Sequence, residues 1–506
     1  MTVETGKPPV STTPAILPAD TRSRKPTAKA LIIGFGLIAV CLVGLFTSTS
    51  NAMAGMWCVF LMLVLIFLAV PVALALSIPS IVGVFAISGA PASMNILSTA
   101  PYNTVASWSF SVIPAFIFMG MLLTQSGMTT RIYTATDRWF SWLPGGIGVG
   151  TTAAGAGLAS VSGSTIGMTY TLARAGLPEM LRMGYDRRMA VGTVIIAGLP
   201  GALIPPSILL VVYAGIASVP VGPQLVAGAV PGILIAITYA IFILILALIF
   251  PKLVGRTKDA KKGPKVTWGE RFHSLGQVWG FPVIMIVLFG GLFSGVFTPT
   301  EAGAAAALTA LALCIFYTRK NQPLKQVSQA AFAAVASTAA IFFIMIGAEM
   351  LTRLLAITGL AQIVTDFIVG MGLGRIAFLM ILIVVYIILG MFFDTLSMML
   401  LTIPILLPTL EAMDVNPLWF GVFVILLGEL GMITPPVGIL SFIVHGIAQD
   451  PEVNQGQKIS LGDVFTSLVW FLPVSVVFLM IMIFFPEMTE VLPNLMESMS
   501  GGAPPE

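Results

Sequence analysis

Charge is scarce in this 506-residue sequence. It holds 24 Lys and Arg and 21 Asp and Glu, 9% of the chain, against a hydrophobic share of 57%. Soluble domains carry about 25% charged residues. So few charges cannot cover a globular surface of this size, and the solvent that suits such a chain is lipid. The two signs nearly balance and no basic stripe is present, which excludes a nucleic-acid partner. Histidine is almost absent. His273 and His445 are far apart and have no metal-ligand spacing, and no nucleophile motif accompanies them, so the chain does not read as an enzyme. The three cysteines, Cys41, Cys58 and Cys314, lie in apolar runs and read as small buried residues without a redox role.

The N-terminus lacks the marks of a cleaved signal. Residues 1–28 read as a disordered cytoplasmic tail, rich in Pro, Thr and Ser, with Arg22, Arg24 and Lys25 near its end and Lys29 just beyond it. An apolar run follows with no small-residue cleavage site, and it reads as a retained span.

A spanning helix needs about 20 apolar residues. Runs of that kind are expected near 31–48, 56–71, 73–90, 109–125, 228–250, 280–297, 302–317, 329–350 and 466–485. Four more stretches, 144–180, 189–217, 376–410 and 417–447, are apolar but interrupted by Gly, Pro or polar residues.

Lys and Arg concentrate in cytoplasmic loops. The clusters are Arg131 with Arg138, then Arg182 with Arg187 and Arg188, then Lys252 to Arg271, and last Arg319, Lys320 and Lys325. With all of them inside, 144–180 must enter and leave on one side, as a re-entrant hairpin. Beyond Lys325 the pattern reverses. Glu411 and Asp414 follow the second hairpin, and the tail carries Glu487, Glu490, Glu497 and Glu506, which places the C-terminus outside.

The two halves repeat at an offset of about 230 residues, counted on the sequence itself. Ser160-Val161-Ser162-Gly163-Ser164-Thr165 sits in the first hairpin and Gly390 to Ser397 in the second. Ile204-Pro205-Pro206-Ser207 and Thr434-Pro435-Pro436-Val437 follow in turn. The expected fold is an all-α polytopic membrane protein with inverted repeats, two re-entrant hairpins and two Pro-broken helices. Interrupted segments in corresponding positions of two halves mark the binding site of secondary transporters. Backbone polar groups freed at membrane depth must line a cavity or bind ions.

These residues resemble the large membrane subunit of tripartite ATP-independent periplasmic (TRAP) transporters, of the C4-dicarboxylate and sialic-acid type. The resemblance rests on Ser162-Gly163-Ser164, Leu177-Pro178-Glu179-Met180, Gly184-Tyr185-Asp186-Arg187, Ile204-Pro205-Pro206-Ser207, Phe297 to Gly303, Gly390 to Asp394 and Thr434 to Gly438, over roughly 56–485. It implies a Na⁺-coupled elevator in a bacterial inner membrane. It also implies a separate small four-helix membrane subunit and a periplasmic substrate-binding protein that delivers a small organic acid. It implies no organic cofactor. The span at 31–48 is extra to the family pattern and puts the N-terminus in the cytoplasm.

The domain division expected on this basis is a tail at 1–28, an added helix at 29–50 and scaffold helices at 51–130. Half of a transport domain follows at 131–225, then scaffold at 226–350 with a cytoplasmic loop at 252–275. The second half lies at 351–465, and a last span and tail at 466–506.

A first Na⁺ site is expected from Ser160, Ser162, Ser164, Gly201, Ile204 and Pro206, and a second from Asp394, Thr395, Ser397, Gly431, Thr434 and Pro436. The competing reading of the small residues is tight helix packing, and that of Asp394 is a helix cap. The substrate region is expected between the hairpin tips, at Gly163, Thr165, Ser207 and Gly438. Glu429 reads equally as a second acid at the site or as a scaffold-facing residue. Glu349 and Arg353 read as an i,i+4 ion pair, and Glu301 as a helix-start residue. Trp57, Trp108, Trp139 and Trp142 suit an interface belt. The alternative to Na⁺ coupling is an H⁺-coupled organic-anion carrier working without a binding protein.

Overall fold

Every named element is a helix, and a computed structural model describes residues 28–255 and 266–499. The side chains of residues 28–31, Val161 and Ser162 are also outside the described set. Residues 1–27 of the tail expected to be disordered therefore lie outside the described residues, as do residues 256–265 of the basic loop. Among the described residues, seven helices are long and apolar enough to cross a membrane, or up to eight if the bent pair Trp268–Gln277 and Gly280–Phe293 counts as one span.

The expected spans appear as helices, with two running past their expected ends. Val72–Val105 continues beyond 90 because its break is confined to Gly89, whose φ of 80° suits a residue without Cβ. Pro323–Thr358 overruns the expected 329–350 at both ends, starting on Pro323 at its first turn and stopping at Gly359 in the left-handed region. The two long helices pack side by side, and Gly347 allows the close approach: a Cβ there would lie 2.8 Å from the Ala73 carbonyl oxygen.

Each interrupted stretch becomes two or three shorter helices. The first hairpin is Gly146–Ser162 and Thr165–Arg182, and the second is Arg375–Gly390 and Thr395–Ala412. The first broken helix runs Arg187–Ala197, a 3₁₀ turn Leu199–Ala202, then Ile208–Ile216. The second runs Pro417–Ile433 and Ile439–Ile447. Pro205–Pro206 and Pro435–Pro436 are both cis. The fold is thus an inverted-repeat arrangement with a hairpin and a Pro-Pro break in each half.

Burial separates these elements from the rest. Residues Trp419 to Ile433 are all buried, as are Met189 to Ala197. A helix that is apolar all round belongs in the interior of a bundle, and the hairpins enclose these two. The first hairpin packs on Leu199–Ala202 and Arg187–Ala197, and Arg375–Gly390 of the second packs on Pro417–Ile433.

Two ion-pair groups fix the outside of this bundle. Asp463 starts the last span through a capping box with Ser460, accepts from Arg188 Nε at 3.2 Å and forms an ion pair with Arg187, whose Nε lies 3.1 Å away. On the long helix, Arg353 Nε donates to Glu349 at 2.9 Å and its Nη1 donates to Thr99. Glu301 forms a capping box with Thr298.

Candidate functional site

Each hairpin turns at a residue whose side chain caps the helix behind it. Gly163, with φ of 63°, closes the first arm, and Ser164 then accepts from the Gly167 N–H at 3.1 Å. Asp394 does the same in the second hairpin, accepting from the Ser397 N–H at 3.2 Å and from the Ser397 hydroxyl. The capping reading of Asp394 is therefore correct, and it leaves the carboxylate facing the site.

Both tips border one cavity of about 320 Å³. Gly163, Ser164 and Thr165 come from the first tip, and Asp394, Thr395 and Leu396 from the second. Gly201, Ala202 and Ser207 come from the first break, and Glu429 and Met432 from the second broken helix. The opposite wall is Ile117 and Met121 with Ser337, Ala340 and Ile341 of the long helix. The helices Thr165–Arg182 and Thr395–Ala412 thus begin at the cavity, where their positive ends suit an anion. Among the described residues lining it there is no Lys, Arg or His.

Glu429 is 1% exposed. Its Oε1 accepts from the Thr395 hydroxyl at 3.1 Å, and its Oε2 has no hydrogen-bond partner among the described residues. The structure places it in the cavity wall, beside Thr395. A buried carboxylate met only by threonine hydroxyls, with no basic neighbour in the wall, calls for a cation or a proton when the cavity is dry.

The remaining expected residues divide between the cavity wall and the packing behind it. Ser160 is buried, donates to the Gly157 carbonyl at 2.9 Å and lies against Gly201, where a Cβ would sit 2.8 Å from the Ser160 nitrogen. Ile204 packs on Gly232, and Pro206 is buried beside it. Ser162 has no described side chain. In the second half, Gly390 and Gly431 touch backbone to backbone: a Cβ on Gly390 would lie 2.5 Å from the Gly431 Cα. Ser397 is buried behind Asp394, and Thr434 donates to the Leu430 carbonyl at 2.7 Å. Pro436 is exposed.

Of the four residues expected near substrate, Gly163, Thr165 and Ser207 line the cavity. Gly438 does not. It folds back on the end of Pro417–Ile433, where a Cβ would lie 3.0 Å from the Ile433 and Thr434 carbonyl oxygens. The wall from Ser337, Ala340 and Ile341 was not anticipated. Those residues sit in an uninterrupted apolar helix, which carries no local mark of function. Leu203 to Pro206 lies outside any helix, so its carbonyls are released from the helical ladder.

Inverted repeats, two hairpin tips and a shared cavity with two acids in its wall at their meeting point define a membrane transport protein. The sequence profile of the family described as "Tripartite ATP-independent periplasmic transporter, DctM component" matches residues 59–488, and the chain belongs to that family. It is similar to the C4-dicarboxylate TRAP transporter large permease protein DctM of Vibrio cholerae, 28% identical over 85% of this chain and 96% of the relative. It is also similar to the ectoine TRAP transporter large permease protein TeaC of Halomonas elongata, 27% identical over 78% of this chain and 90% of the relative. The fold is similar to that of the YdaH transporter of Alcanivorax borkumensis, with a TM-score of 0.54 and 13% identity, over 79% of this chain and 90% of the other.

Proposed function

We propose that this chain is the large transmembrane subunit of a binding-protein-dependent, Na⁺-coupled secondary transporter that imports a small organic acid by an elevator movement. The observation that carries the reading is the cavity shared by both hairpin tips, with Asp394 and Glu429 in its wall and no basic side chain beside them. Two acids in a buried wall repel an anion. Cations entering with the substrate neutralise that repulsion, and hard oxygen ligands of the kind grouped here, hydroxyls, carboxylates and released carbonyls, suit Na⁺.

The hairpins and broken helices enclose one face of the cavity, and Val112–Gln125 and Pro323–Thr358 supply the other. In the proposed cycle the first group moves as the transport domain and the second stands as scaffold. The substrate's carboxylate lies between the N-terminal ends at Thr165 and Thr395, held by backbone N–H groups and hydroxyls without an arginine. A separate small membrane subunit braces the scaffold, and a periplasmic binding protein delivers the acid to the outward-facing tips.

The test is uptake into proteoliposomes holding this chain, its small subunit and its cognate binding protein. Radiolabelled C4-dicarboxylates are the first probes, since the Vibrio cholerae relative is named for them. Uptake should require a Na⁺ gradient and the binding protein. Uptake that persists in choline and follows a pH gradient instead overturns Na⁺ coupling in favour of an H⁺-coupled carrier.

A further inference from the structure

A second cleft, of about 490 Å³, lies away from the transport cavity and is walled by Trp139, Phe140, Trp142, Trp268 and Arg271. It opens between the helices Met128–Phe140 and Trp268–Gln277, which pack on each other through a bond from Trp139 Nε1 to the Arg271 carbonyl at 3.2 Å. Trp268–Gln277 meets the apolar helix Gly280–Phe293 at a bend of 52°, so it leaves the direction of its neighbour.

Arg271 is the residue that needs an explanation. It is 9% exposed, its Nε has no hydrogen-bond partner among the described residues, and no carboxylate there forms an ion pair with it. The adjacent Glu270 is spent on the capping box with Thr267. A buried guanidinium donor left unpaired is costly, and its planar fork suits phosphate oxygens. The guanidinium carbon lies 4.8 Å from the Trp268 ring centroid, which orients the group without using up its donors in the ring plane.

The surroundings fix the level of the cleft. Arg131 lies over Tyr317 at 4.1 Å and Arg319 over Phe316 at 5.0 Å, on neighbouring helix ends. Rows of Arg, Trp and Tyr mark the headgroup zone of a bilayer. Trp142 and Trp268 are about two-thirds exposed, and so is Phe272, which stands edge-on to Trp139. Phe272 and the half-exposed Leu275 extend the apolar surface from the cleft along Trp268–Gln277, where acyl chains can lie.

We propose that this cleft binds the headgroup of an anionic phospholipid. Arg271 donates to the phosphate, Trp142 and Trp268 frame it, and the acyl chains run along Phe272 and Leu275. The site is independent of the substrate cavity, so it stands or falls apart from the coupling mechanism.

The experiment is native mass spectrometry of the full chain released from micelles containing phosphatidylglycerol. Thermal unfolding is followed beside it in phosphatidylglycerol, phosphatidylcholine and inorganic phosphate. Phosphatidylglycerol should stay bound through release and raise the unfolding temperature, while phosphatidylcholine and inorganic phosphate should not. Arg271→Met should lose one retained lipid and the greater part of the shift. Trp142→Ala, at an exposed position that spares the packing, should lose the lipid while unfolding normally in phosphatidylcholine, and this keeps the test decisive if Arg271→Met does not fold. Lipid retention unchanged in both variants overturns the proposal. So does an equal shift with inorganic phosphate alone, which makes this a free-anion site, or displacement of the lipid by the small membrane subunit, which makes it a subunit contact.

Discussion

The Thr395 hydroxyl donates to Glu429 Oε1 at 3.1 Å, and the Thr165 side chain faces the same carboxyl group. Thr165 and Thr395 are the first helical residues behind the two hairpin tips. One carboxylate of the second broken helix therefore reaches both halves of the inverted repeat, which makes it the point where a change at one tip is felt at the other.

Glu429→Gln keeps the shape and the hydrogen-bonding capacity of that group and removes its charge. Uptake should fall roughly tenfold, the size of a typical coupling energy, and its dependence on Na⁺ should become shallower. Membrane insertion should be unchanged. Thr395→Val removes the hydroxyl that donates to Oε1 and should cost about 1–3 kcal/mol of stability. Initial rates across a Na⁺ series, with thermal unfolding of the same preparations, check both outcomes.

Asp394 holds two roles that substitution separates. Asparagine caps a helix about as well as aspartate, whereas alanine gives up about 1 kcal/mol. Asp394→Asn should therefore unfold like the wild type and yet require more Na⁺ for half-maximal uptake. Asp394→Ala should lose stability as well. If Asp394→Asn transports normally at low Na⁺, the carboxylate is a cap and nothing more.

The close backbone contacts behind the cavity make a packing prediction. A methyl at Gly201 meets Ala159 and the Ser160 nitrogen, the latter at 2.8 Å, and one at Gly431 meets the Gly390 backbone. Neither neighbour is a flexible side-chain end, so Gly201→Ala and Gly431→Ala should each cost about 1–3 kcal/mol and depress uptake. Gly157→Ala is the control. It lies on the same hairpin arm as Ser160, and its new methyl meets only Ile132 at 3.9 Å, so the helix should gain up to about 1 kcal/mol from the exchange.

The interrupted segments were legible in the sequence because Gly, Pro and Ser inside an apolar run leave a local mark. The spans were legible because lipid demands length. Glu429 was visible as a residue but not as a direction: Pro417–Ile433 is buried all round, so no polar face tells which side its one acid takes. Met128–Phe140 and Trp268–Gln277 were missed as helices for the opposite reason. They are amphipathic, and a search for unbroken apolar runs passes over them. The run expected at 73–90 goes on to Val105, because Gly89 absorbs the bend and the helix resumes behind it. Gly438 was grouped with the site by its place in the repeat, but its position against the Ile433 and Thr434 carbonyls depends on how the chain turns after Pro436, which spacing does not encode.

The amphipathic helix Met128–Phe140 carries a pH-sensitive group outside the spans. Burial pushes the Asp137 carboxyl up to about 6 and Glu179 adds to the rise, while Arg138 opposes it. The group's folded-state value is raised above the unfolded 3.8. The stability it contributes is thus present in full below about pH 4 and is lost as pH rises through about 6. Asp137→Asn removes the charge that forms above that point. The variant should match the wild type near pH 4 and unfold at a higher temperature than the wild type at pH 8. Thermal unfolding of the two proteins should therefore diverge between about pH 4 and about pH 6 and keep a constant gap above that. Parallel curves, or a variant that loses ground as pH rises, would show that the Asp137 carboxylate is ionised and satisfied where it lies against Met128–Phe140's partner hairpin.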